Sequence, residues 1–91
     1  MGFIQNNRIN KNLKMSIGQL EGILKMIFAK RETTEVCDQL SSVQALIQCC
    51  LNDILKDEIT AHIEDIVATA DEVDRKAKVD KLVVFIDRML K

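Results

Sequence analysis

The 91-residue sequence contains no proline, tryptophan or tyrosine, and only three glycines. Proline and glycine interrupt helices most reliably, so their scarcity favours an all-α fold. The three cysteines are an odd number, with Cys49 and Cys50 adjacent, and they do not suggest a disulfide framework. No apolar run resembles a signal peptide or a membrane span, so we expect a cytoplasmic protein that makes no membrane contact.

Motifs that carry catalysis are also missing. The sequence has no glycine-rich phosphate loop, no His-Glu-x-x-His, no nucleophile elbow and no Cys-x-x-Cys. Any Ser–His or Cys–His mechanism would depend on His62, the one histidine of the chain. We therefore do not expect an enzyme.

The most informative stretch runs from residue 33 to residue 67 and predicts one long helix. Its apolar residues recur three or four positions apart, which is typical of a coiled-coil seam. They are Val36, Leu40, Val43, Ile47, Cys50 and Ile54. Ordinary helices average about 11–12 residues, and the rest of this small chain is too short to cover such a helix. We therefore expect another copy of the chain to pack on it.

Two shorter periodic segments predict further helices over about 9–30 and 72–90. Thr69 or Asp71 is suited to cap the last one, and the short link at 31–34 makes the first two helices antiparallel neighbours. In the first helix, Gly18 and Gly22 suggest close approach of another backbone. The expected architecture is a single domain over residues 1–91: a three-helix protomer with one long central helix.

Charge is unevenly distributed along the chain. Residues 1–31 carry six basic residues and one acid, whereas residues 32–70 carry eight acids and one lysine. Four cations fall on one flank of the first helix, away from its leucine seam; these are Arg8, Lys11, Lys14 and Lys25. Such a stripe could neutralise DNA phosphates, although a solvated polar face is the simpler interpretation.

Glu58 and His62 are four residues apart and share a helix face. They could both ligate a cation, or they could form a simple polar pair. Two donors are too few for a closed metal site. In an antiparallel dimer, Thr33 or Cys37 of the other subunit could complete it.

Four segments together resemble the CsoR/RcnR/FrmR family, small helical repressors that respond to copper, nickel or cobalt, or formaldehyde. They are Leu13–Lys14 followed by Ile17–Ile23, then Gln39–Ala45, Ile54–Ile63 and Val79–Phe85. The resemblance implies an antiparallel dimer, usually assembled into a tetramer, that binds operator DNA and is released by an effector.

The same resemblance places the family's effector cysteine at Thr33 and its histidine at Glu58, with the next ligand at His62. Threonine supplies no thiolate, which implies loss of Cu(I) capture and of formaldehyde chemistry at that position. Cys37 lies one turn beyond Thr33. The predicted effector positions are therefore Thr33, Cys37, Glu58 and His62, with Glu58 and His62 as ligands of Ni, Co or Zn rather than Cu(I).

Three functions follow, in order of preference. The first is a DNA-binding transcriptional repressor with a degenerate effector site. The second is a helical oligomer that has lost DNA and metal binding and acts through protein–protein contacts. The third is a thiol sensor that uses Cys37, Cys49 or Cys50, although Cys50 continues the apolar seam and is most simply a core residue.

Overall fold

The structure, a computed structural model, describes residues 7–91, which form three α-helices and no strand. They are α1 (Asn7–Phe28), α2 (Thr33–Ala68) and α3 (Glu72–Leu90). The prediction of three helices with a long central one is confirmed. The described residues fall into two compact parts, the first within Met1–Leu55 and the second Lys56–Lys91.

Helix α1 begins two residues earlier than the predicted 9–30. It also ends two residues earlier, because Lys30 takes a left-handed conformation with φ 57°. The Lys30 amide donates to the carbonyl of Ile27, and the Arg31 amide donates to the carbonyl of Met26. This pair of bonds is a Schellman motif, which satisfies the last carbonyls of a helix and stops it. The position is usually glycine, so the sequence did not reveal this ending.

The buried residues of the first part follow a spacing of seven. They are Ile9, Ser16 and Ile23 in α1, and Val43 and Cys50 in α2. The Ser16 hydroxyl donates to the carbonyl of Asn12, so its burial costs no hydrogen bond. Cys50 is 2% exposed, which confirms that it is a core residue.

Most of the predicted apolar seam is not covered within the first part. Its exposed members are Leu13, Ile17, Leu20, Leu24 and Ile27 in α1, and Leu40 and Ile47 in α2. They are between 40% and 63% exposed. The alpha carbons of Gly18 and Gly22 are also open, since a methyl group added at either would meet no atom within 4 Å. No backbone within residues 7–91 comes close to these two glycines, and approach of the backbone of a second copy stays a prediction.

In the second part, hydrogen bonds fix the corner between α2 and α3. Asp71 caps α3 by accepting from the Asp74 amide at 3.0 Å, as the sequence predicted. Arg75 donates to the carbonyls of Thr69 and Ala70. Lys78 reaches back to α2 and contacts Asp65 Oδ1 at 3.0 Å and the Thr69 hydroxyl at 2.8 Å. α3 is thereby held beside the last turns of α2.

Candidate functional site

The cationic stripe of α1 lies on the exposed side of that helix. Lys11, Lys14 and Lys25 are all exposed, and Ile9, Ser16 and Ile23 occupy the opposite side, against the core. Lys25 belongs to the last turn of α1, where a cation also complements the carbonyl ends. It lies about 16 Å along the helix axis from Lys14, at 1.5 Å per residue. Lys11 and Lys14 are therefore the compact part of the stripe.

A shallow depression of about 560 Å³ lies beside these two lysines. Asn7, Asn10 and Met15 line it together with Lys11 and Lys14. Ammonium and amide groups donate hydrogen bonds. This surface therefore matches a partner rich in anionic acceptors.

Arg8 differs from the lysines because it has an acidic neighbour on α2. Its Nε lies 3.1 Å from Asp53 Oδ2. The Arg8 side chain is nevertheless 67% exposed, whereas that of Asp53 is 21% exposed. This contact joins the start of α1 to α2. It pairs Arg8, a predicted DNA-binding residue, with Asp53, which the sequence did not suggest as its partner.

The second predicted site lies near the end of α2, where His62 is held from two directions. Its Nε2 is 3.2 Å from Glu58 Oε1, one turn earlier in the same helix. Its ring stacks on Phe85 of α3, with ring centroids 5.7 Å apart and an interplanar angle of 27°. The polar pair was foreseen from the spacing, but the contribution of Phe85 was not.

A small depression of about 180 Å³ opens beside this histidine. Glu58, Ala61, His62 and Asp65 line it. Asp65 is engaged by the Lys78 ammonium, so one of the two carboxylates already has a cationic partner. The contact between Lys78 and Asp65 could not be predicted from helix periodicity, because the two residues lie 13 positions apart on different helices.

The other two predicted effector positions, Thr33 and Cys37, belong to the first part of the chain. Both are exposed and lie one turn apart at the start of α2. Their proposed meeting with Glu58 and His62 of another subunit stays a prediction. Cys49 is exposed and, like Cys37, is a free thiol.

The model of the metal-sensitive transcriptional repressor family matches residues 5–88. The chain belongs to that family. This confirms the resemblance noted in its motifs. No curated protein matches the chain.

A metal-sensitive repressor needs several donor side chains close together to bind its metal. Across residues 7–91, no group of three or more His, Cys, Asp or Glu side chains is arranged to hold an ion. Glu58 and His62 contribute one carboxylate and one imidazole. These donors alone do not fit a complete metal site in this family member.

None of the helices described in residues 7–91 has the length and apolarity needed to cross a membrane.

Proposed function

We propose that this family member is a cytoplasmic DNA-binding repressor that acts as a homodimer or homotetramer. The observation that carries the DNA-binding assignment is the exposed cationic surface of α1 at Lys11 and Lys14, beside the depression lined by Asn7 and Asn10. Arg8 and Lys25 extend this surface. Helical proteins without a recognition helix bind DNA mainly through phosphates and duplex shape.

Assembly is supported by the apolar surface that one chain leaves open. In the first part of the chain, a depression of about 280 Å³ lies over the seam. It is lined by Leu20, Leu40, Val43, Gln44, Ile47, Gln48 and Leu51. An apolar stripe of this kind on a long helix is the surface that coiled-coil association buries. A second copy of the chain presents the same stripe and can pack on it in an antiparallel arrangement.

The proposed effector site consists of Thr33, Cys37, Glu58 and His62, with the first pair supplied by one subunit and the second by another. Its donors are nitrogen and oxygen, with Cys37 as an additional thiol. Such a set favours Ni, Co or Zn over Cu(I). Because Glu58 and His62 alone do not make a complete site, any metal would depend on donors from the second subunit or from water.

The DNA assignment is tested by measuring affinity for the DNA immediately upstream of the coding sequence over a series of salt concentrations. We expect the logarithm of affinity to fall steeply with the logarithm of salt concentration. Lys14→Ala should reduce the slope by about 0.9 for each phosphate that the variant no longer neutralises. Lys81→Ala, which removes the same charge from an exposed position of α3, is the matched control and should leave the slope unchanged. Equal slopes for the two variants would contradict the role of the α1 surface.

The same titration with Ni, Co, Zn and Cu(I) tests the effector site. Release by Ni, Co or Zn that is abolished in His62→Ala would support the proposed ligands. Release by none of them would indicate a non-metal signal. Absence of DNA binding even at low salt would favour the alternative, a helical oligomer whose partner is a protein.

Assembly is tested by the mass of the protein in solution. Ile47→Asp places a charge in the open seam. It should weaken association and so lower the mass of the assembly, because burial of an unpaired carboxylate is costly. Ala45→Asp introduces the same charge on the opposite side of α2, at an exposed position, and is the control. An unchanged mass for Ile47→Asp would refute the proposed interface.

A further inference from the structure

The contact between Arg8 and Asp53 is the feature of the α1 surface that its charge pattern does not explain. It joins a cation at the start of α1 to an acid on α2, within the first compact part of the chain. Arg8 lies one turn before Lys11 on the same exposed side of the helix. Asp53 therefore acts directly on a residue of the proposed DNA surface.

Asp53 depends on Arg8 for electrostatic compensation. Its Oδ2 atom is buried and has no hydrogen-bond partner in the described part of the chain. The 3.1 Å contact with Arg8 Nε is thus an ion pair whose alignment falls short of a hydrogen bond. A buried carboxylate oxygen without a partner is unfavourable. The carboxylate therefore resists departure of Arg8 from this position.

Arg8 can keep this contact and still meet an anion. A guanidinium has five N–H donors in a planar fork, and the contact with Asp53 is made on the Nε side. The side chain is 67% exposed. Because phosphate is best bound by the paired donors of the fork, a guanidinium held at Nε can present its outer edge to DNA with little loss of side-chain freedom on binding.

We propose that Asp53 is a positioning residue of the DNA-binding surface: it holds the Arg8 guanidinium against α2 so that its outer edge contacts a DNA phosphate beside Lys11. This inference rests on the proposed DNA-binding function. The opposite arrangement, in which Asp53 competes with DNA for Arg8, uses the same two residues but predicts a different sign of coupling between them.

A double-mutant cycle on the full-length protein distinguishes these arrangements, with affinity for the upstream DNA as the readout. Arg8→Ala is made in the natural chain and in the Asp53→Asn background. If Asp53 positions Arg8, Arg8→Ala should weaken binding about fivefold in the natural chain and less than about twofold in the Asp53→Asn background, within the range of coupling between contacting residues. Lys11→Ala, the control, should cost the same in both backgrounds.

The DNA affinity of Arg8→Lys supplies a second readout. If only the positive charge of Arg8 mattered, this variant would bind DNA as tightly as the natural chain. Lysine keeps the positive charge but has neither Nε nor the fork. We expect it to weaken binding nearly as much as Arg8→Ala. Full affinity of Arg8→Lys would overturn the proposal. The helical circular dichroism and mass of each variant should match those of the natural chain. Asp53→Glu, which retains the carboxylate, should keep most of the affinity even if Asp53→Asn folds poorly.

The outcomes separate this inference from the function on which it rests. DNA binding that responds to Lys11→Ala, with equal costs of Arg8→Ala in both backgrounds, would refute positioning and leave the proposed function standing. A larger cost of Arg8→Ala in the Asp53→Asn background would show competition and refute it as well. Failure of the natural chain to bind DNA at low salt would refute both.

Discussion

The left-handed residue that ends α1 permits a quantitative prediction about stability. Lys30 has φ 57° and donates the inner bond of the Schellman motif to Ile27. A residue with a side chain in this conformation costs about 1–2 kcal/mol, because its Cβ crowds the neighbouring carbonyl. Glycine removes that cost. However, an unfolded chain with glycine at this position has more conformations to lose on folding, which cancels about 0.4–1 kcal/mol of the gain. Lys30→Gly should therefore raise the free energy of unfolding by about 0.8 kcal/mol, the middle of the range of about 0–1.6 kcal/mol that these two effects leave.

The assay is urea unfolding followed by circular dichroism. All variants must be compared at one protein concentration, because association would make apparent stability depend on it. A gain of about 0.8 kcal/mol corresponds to a rise in melting temperature of roughly 3–6 °C for a chain of this size. Lys30→Ala removes the ammonium but retains the strain, so it should change stability little. Lys25→Gly, inside the last turn of α1, should lower stability by about 1 kcal/mol.

The stabilities of the three variants together show whether the left-handed conformation of Lys30 is strained. A higher stability for Lys30→Gly together with a lower stability for Lys25→Gly supports a strained helix end. If Lys30→Gly destabilises the protein, or if Lys30→Ala stabilises it equally, the strain argument is refuted, since removal of the charge alone would then account for the effect.

Three further outcomes follow from the second part of the chain and from the core. Asp71→Ala removes the cap of α3 and should cost about 1 kcal/mol in urea unfolding; an unchanged midpoint would contradict the observed bond. Phe85→Leu should shift the imidazole resonances of His62, the one histidine present, whereas Phe28→Leu, at a position 90% exposed, should not; equal shifts would contradict the ring stack. Alkylation of the native protein should spare Cys50, which is 2% exposed, until the chain unfolds; prompt reaction at Cys50 would disprove its burial.

Sequence alone determined the features that depend on neighbouring turns of one helix. The period of the apolar residues predicted three helices, and a four-residue spacing predicted the pairing of Glu58 with His62, now observed at 3.2 Å. Asp71 was a candidate cap because its side chain reaches an amide three residues ahead. The motif order identified the family, since it spans most of the chain. Such interactions need only the geometry of a single helix.

Tertiary structure decided the features that depend on how two helices face each other. The sequence seam of α1 included Leu13 and Leu20, yet Ser16 is buried and both leucines are about 40% exposed. The charge pattern groups Arg8 with the lysines, but the structure pairs it with Asp53 on another helix. The stacking of Phe85 on His62 is likewise a contact between two helices that the spacing within one helix does not predict. These contacts depend on the rotation of each helix about its axis and on the register between neighbours. Packing sets both quantities, and the apolar pattern of a single helix leaves them undetermined.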